Sequence, residues 1–362
     1  MTLVLPSTRE EAWRWADLSA LPALAAAAPA GGVIDTSELW VGDGPRLLFA
    51  DGVLDASLSD PGPLAIGPVD ADSNHPLGRL AREAAYRGWT LSLGEDHAAP
   101  ATVEIIHVAT GGANHLPGRI ALAEDAQASI VETFVGDGWA NRLTRIELAH
   151  SARLMRSIRL VQSSGFSSLR EECVLGEGAS LVTTLLGAGG AGTRIDAAVT
   201  LDGPGGYAEF GGALLSRAEQ RHDAAIVVRH AAEAGTSRQL WRAVADDTSA
   251  GSIAARAEVA RGAQKTDGEQ SLRGLLLKRT ATVNLKPELE IFADDVKCAH
   301  GATVGELDAR ALFYLESRGI PPQPAKALLT RAFVADALER IGEEAVREAF
   351  LADADRWLGG VQ

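Results

Sequence analysis

Only two cysteines, Cys173 and Cys298, occur in the 362 residues. Two thiols exclude a disulfide framework and any cluster or zinc site needing four thiolates from one chain. Positive charge is also short: 34 Lys and Arg face 48 Asp and Glu, a net of −14. That deficit argues against sequence-independent nucleic-acid binding, which needs cations to neutralise phosphates, and against attachment to anionic membranes. Lysine is confined to Lys265, Lys278, Lys286, Lys297 and Lys326. No apolar run suits a bilayer: the longest uncharged stretch, Leu18 to Ile34, is Ala-rich and carries Pro22 and Pro29. Glu10, Glu11 and Asp17 precede it, unlike the basic start of a signal peptide. A cytoplasmic protein is expected. What remains is globular composition, 46% apolar and 23% charged, enough for one large domain or two ordinary ones.

Three regions follow one another. Residues 1–88 read as a mixed, partly helical N-terminal region. Glu10 to Leu24 is expected to be a helix broken by Pro22, and His75 to Arg87 a second helix with Leu77, Leu80 and Ala84 on one face. Residues 304–362 read as a helical domain. Its helices are expected at Asp308–Ser317, stopped by Gly319, at Gln323–Ile341 with Leu328, Ala332, Ala335 and Leu338 inward, and at Glu343–Leu358.

Between them, residues 89–303 carry an internal repeat. Ile120-x-Leu122-x-x-x-Ala126-x-Ala128 recurs as Ile146-x-Leu148-x-x-x-Ala152-x-Leu154, as Cys173-x-Leu175-x-x-x-Ala179-x-Leu181, and as Val199-x-Leu201-x-x-x-Gly205-x-Tyr207. The leucines lie 26, 27 and 26 residues apart. Weaker copies are read at Ile226-x-Val228 and Leu275-x-Leu277. Small or polar residues between Leu and Ala, such as Gly176-Glu177-Gly178, mark a turn between two half-buried strands. A strand-turn-strand unit at a fixed period means stacked coils, because one coil cannot bury its apolar columns alone. The fold expected is mainly β: a parallel β-helix, right-handed by the usual preference of such crossovers. A β-sandwich with recurring strands is the alternative.

Few motifs carry chemistry. Gly187 to Gly192 fits G-x-G-x-x-G but leads into a strand at Thr193–Val199, whereas a dinucleotide site needs a helix there. It reads as a loose inter-coil loop. Gly262-Ala-Gln-Lys265-Thr266 lacks the glycines of a phosphate loop. The column six residues after the template Ala holds Glu132, Ile158, Leu185 and Gly211, not a stack of acids, so nothing points to a carboxylate-pair glycosidase, and Glu171-Glu172 and Asp246-Asp247 read as solvated turns. His222 and His230 flank an apolar strand and read as structural; Cys173 lies in the inward column and reads as an inert thiol. Cys298 and His300 differ. In an extended segment they share a face, with Lys297 on the other, and soft sulfur beside imidazole suits zinc, iron or a sulfide-bearing species. Two ligands leave such a metal half-coordinated, so further ligands must come from another chain.

These residues lie in a longer signature, Lys286-Pro-Glu-Leu-Glu-Ile-Phe-Ala-Asp-Asp-Val-Lys-Cys298-Ala-His300-Gly-Ala-Thr-Val-Gly305, continued by Leu312 to Ile320. It resembles the SufD branch of the SufB/SufD family, scaffold subunits of the SUF iron–sulfur cluster assembly system. Ala263–Asp267, Leu275–Leu277, Thr236–Gln239, His222-Asp223 and, at the N-terminus, Glu11–Leu18 extend the resemblance. The N-terminal region looks short for the family.

The resemblance implies a right-handed parallel β-helix with a helical C-terminal domain. It implies pairing with SufB through the β-helix, docking of the SufC ATPase on the C-terminal helices, and no catalysis by the chain itself. It places His300, with Cys298 nearby, at nascent cluster assembly on the SufB interface. The cluster or its precursors would be shared and transient, with no cofactor held stably by this chain. The same surface offers an isolated chain a route to a homodimer. The rival readings are a polysaccharide-processing β-helix enzyme and a purely structural homo-oligomer.

Overall fold

The computed structural model describes residues 3–32 and 34–359. Val33, inside the Ala-rich stretch, and residues 360–362, at the end of the expected helical domain, lie outside the described residues.

The chain winds between two sheets, one of ten strands and one of nine, in which neighbours are alternate strands of the chain. From Gly88–Leu93 and Val103–Ala109 onward each strand pairs in parallel with the strand one winding earlier. The fold is a parallel β-helix. Ile120, Ile146, Cys173 and Val199 are consecutive partners, as are Leu122, Leu148, Leu175 and Leu201. All eight are buried, each aliphatic one contributing about 1.5–3 kcal/mol of transfer free energy. The turns stack as well. Asp125, Ser151, Gly178, Gly205, Ala234 and Lys265 all adopt positive φ, and the N–H of each donates to a carbonyl of the next turn. Small and polar residues dominate there because a left-handed conformation penalises bulk at Cβ.

Past Leu201 the register departs from the weaker repeats. Val199 pairs with Val228, and Leu201 with His230, so this winding is 29 residues long and the copy at Ile226-x-Val228 is two residues out. The columns continue through Ala257 and Val259 to Leu289 and Ile291. Leu275 lies in the other sheet, in Asp267–Leu276. The windings lengthen in their turns, and a histidine replaces leucine in the inward column, so the template loses both its spacing and its hydrophobic mark.

The interior is not all apolar. Glu132, Arg156 and Glu171 form a fully buried ion cluster, joined by His107, whose Nε2 lies 3.0 Å from Glu132 Oε2. Arg142 donates to His107 Nδ1 and Asn114 Oδ1. Burial, reinforced by Arg142, pulls His107 down to about 4. Burial opposes ionisation of Glu132, but Arg156 and His107 hold it down at about 2. Burial pushes Glu171 up to about 7, against the pull of Arg156 and with Glu132 adding to the rise. Glu171 therefore lies inside the coil rather than in a solvated turn, and Asp246 is buried too. The Gly187–Gly192 segment is packed rather than loose: a Cβ on Gly189 would fall 2.2 Å from the Gln162 carbonyl oxygen.

Each sheet carries a layer outside. The N-terminal region covers the nine-stranded sheet, with Trp13, Leu18, Leu21, Leu77 and Leu80 packed on Trp139 and Phe166. It is less helical than expected. Glu11–Trp13 is one 3-10 turn, and α1 (Leu21–Ala26) takes Pro22 into its first turn instead of breaking there, because proline suits a first helical turn. Gly78–Arg87 is a 3-10 segment kinked at Ala84, with Leu80 and Ala84 buried. On the ten-stranded sheet lie α3 (Pro322–Leu338) and α4 (Glu344–Gly359), reached through α2 (Ala309–Ser317). The buried residues of α3 are Ala325, Thr330, Val334, Ala337 and Leu338; of the face expected, Leu338 is buried, while Leu328 and Ala332 are exposed. Buried Arg159 clamps α4 through Asp353, Nε to Oδ2 2.6 Å. No helix is long and apolar enough to cross a membrane among the described residues.

Candidate functional site at the open end of the coil

The two ends of the coil differ. At the first, the terminal strands of the two sheets are short and antiparallel, Val53–Leu54 and Leu64–Gly67. At the last, Thr282–Ile291 and Lys297–Glu306 are the terminal strands of their sheets. Lys297–Glu306 is exposed at every position but one, and Thr282–Ile291 has no buried residue. A bare edge on both sheets is an invitation to pair with another strand. Phe292 and Val304 are exposed beside it, and next to it a groove of about 350 Å³ is lined by Leu275, Val304, Leu307, Leu329 and Phe333.

Cys298 and His300 both lie on Lys297–Glu306, paired with Gly268 and Gln270 one winding below. Cys298 is the half-buried residue of the strand, packed near Val259, Ala263, Ala293 and Val296. Burial raises its thiol above the ordinary value, against the influence of the Gly268 backbone. His300 is exposed. The expected pair is thus brought together on the open edge. Among the described residues no group of three His, Cys, Asp or Glu side chains converges as a metal site.

Cys173 and the two interior histidines lie elsewhere. Cys173 is buried, its thiol pushed up mainly by burial. His222 Nδ1 lies 3.1 Å from Thr193 Oγ1, and His230 Nε2 lies 2.8 Å from Ser237 Oγ. What the sequence did not reveal is the polar lining behind the open end. Gln239 and Gln270 are partners in successive strands, Gln270 facing His300. Gln239 Oε1, Gln270 Oε1, Trp241 Nε1 and His230 Nδ1 are all buried without a hydrogen-bond partner. The windings here are 31 and 30 residues long, so the period of 26 or 27 read from the first coils could not align these residues. Of the acids that converge, Glu132 and Glu171 are sealed inside the coil, and Asp196 and Asp223 are both paired with Arg194.

The family description "SUF system FeS cluster assembly, SufBD core domain" matches residues 107–333. The chain belongs to the SufBD family. The match runs from the buried His107 through the whole open end and into α3. SufD of Escherichia coli K12 is 30% identical across 98% of this chain and 90% of its own length. A SufBD family protein of Mycobacterium tuberculosis is 27% identical across 96% and 88%, and SufD of Bacillus subtilis 30% across 43% and 36%. Membership in the SufBD family assigns the chain a role in iron–sulfur cluster assembly.

Proposed function

We propose that this chain is a non-catalytic scaffold subunit that completes its coil by joining SufB at the open end. The observation that carries the reading is the bare edge of both sheets bearing Cys298 and His300. Iron–sulfur cluster or its precursors are the cargo. His300, with Cys298, supplies part of the ligand set, and the partner chain supplies the rest, which is why two soft ligands on one edge suffice. Membership in the SufBD family and the shortage of thiols support the same reading.

The SufC ATPase docks on the C-terminal helices. In support, α2 has no buried residue, and Phe313 and Tyr314 are 73% and 57% exposed. With no phosphate loop in the sequence, ATP hydrolysis falls to SufC. The setting is the cytoplasm, and an isolated chain self-pairs through the edge meant for SufB.

The test replaces His300 and Cys298 singly by Ala in cells that depend on SUF. Loss of cluster maturation with intact co-purification of SufB and SufC is the expected result. Unchanged maturation in both variants removes the pair from the mechanism. Failure of the chain to retain SufB or SufC refutes the partner assignment.

A further inference from the structure

The inward column of leucines that ends at Leu201 continues with His230, which is fully buried. Room for its ring comes from Gly235, where a Cβ would lie 2.9 Å from His230 Nδ1. His230 Nε2 is 2.8 Å from the Oγ of buried Ser237. Ser237, Gly268 and Cys298 are themselves consecutive partners across three windings. A Cβ built on Gly268 would stand 3.4 Å from Cys298 Sγ and 3.6 Å from Ser237 Oγ. The missing side chain therefore leaves a passage one heavy atom wide between hydroxyl and thiol.

The direction of hydrogen bonding follows from His230. Burial lowers it to about 4, so the ring is neutral near pH 7. Its Nδ1 has no partner. A buried N–H without an acceptor is a rarer and costlier defect than an unpaired lone pair, so the proton belongs on Nε2. The second ring nitrogen thereby fixes the tautomer. Nε2–H donates to Ser237 Oγ, and the serine's own hydrogen is free to donate into the passage.

We propose that Ser237, oriented by His230, is a positioning residue for Cys298, donating through one bridging water above Gly268 to the sulfur. A water held between two polar groups costs little and transmits the bond. The Gly268 backbone N–H also faces the sulfur, and the remaining surroundings of Cys298 are the apolar Val259, Ala263, Ala293 and Val296, with Asp267 as the adjacent charge and His300 two residues on. The relay deepens the reading of Cys298 as a sulfur ligand and fixes where that ligand stands at the open edge.

The experiment follows alkylation of Cys298 by iodoacetamide in the full-length chain, quantified on the Cys298 peptide, at one near-neutral pH and at a concentration where light scattering shows monomer. Ser237→Ala slows the reaction about fivefold, the equivalent of a net hydrogen bond of about 1 kcal/mol. Ser237→Thr restores it. Gly268→Ala, whose added methyl makes only ordinary contacts, slows it equally while leaving both partners in place. A wild-type rate in Ser237→Ala or in Gly268→Ala, or no rescue by threonine, overturns the relay. Cluster maturation by a Cys298→Ala chain would instead remove the functional reading and leave the alkylation result standing.

Discussion

Glu171 is the group whose removal reports most directly on the coil interior. Its carboxyl stands at about 7 in the folded chain against an ordinary 4.5. Between those limits the folded chain keeps a proton that the unfolded chain releases, so this group's contribution to stability falls as pH rises from about 4.5 to about 7 and is level above. The gap corresponds to about 3 kcal/mol. Glu171→Gln keeps the shape and still accepts from Arg156, while Arg156 retains Glu132 as its counter-ion. The variant is therefore expected to match the wild type below pH 5 and to exceed it by up to about 3 kcal/mol at pH 8. Guanidinium unfolding of both proteins at several pH values gives the difference. Asp223, also raised by burial to about 6, tilts both curves alike and cancels. Parallel curves, or a variant that weakens with rising pH relative to the wild type, would refute the assignment of the proton to Glu171.

Two further outcomes rest on the helical layer. Asp353→Ala leaves Arg159 buried without its carboxylate, a loss of about 3–5 kcal/mol; the denaturation midpoint should fall and proteolysis should release the C-terminal helices first, and an unchanged midpoint would show that the clamp is idle. Phe313→Ser sits on a helix with no buried residue, so it should move stability by no more than about 0.5 kcal/mol while weakening co-purification with SufC; retained SufC would place docking elsewhere.

The sequence made the first half of the coil readable because its inward columns are aliphatic and its windings nearly constant. Ile120, Ile146, Cys173 and Val199 state both the period and the face. The second half hid itself for the same physical reason in reverse. Longer turns shifted the period, and His230, Ser237, Gln239 and Gln270 placed polar side chains where a hydrophobic pattern looks for leucine. Glu171 misled likewise, since a charge reads as solvated until its partner, Arg156, is seen opposite. In α3 the inward face was misjudged because Ala residues occur all round the helix, leaving Val334 and Leu338 to decide. Cys298 and His300 were legible because strand alternation alone puts them on one side, but nothing local to them shows that the edge beyond is bare.

That long bare edge, set against the short antiparallel strands of the first end, has a consequence for stoichiometry. A coil with two raw ends could add subunits indefinitely and grow into a fibre, since head-to-tail contacts do not close. Here short antiparallel strands, Val53–Leu54 and Leu64–Gly67, stand at one end in place of a full parallel winding, so the two ends are unlike. Two coils joined open end to open end, as proposed above, would leave neither with a full parallel winding to offer. Assembly of that kind would give a pair rather than a fibre.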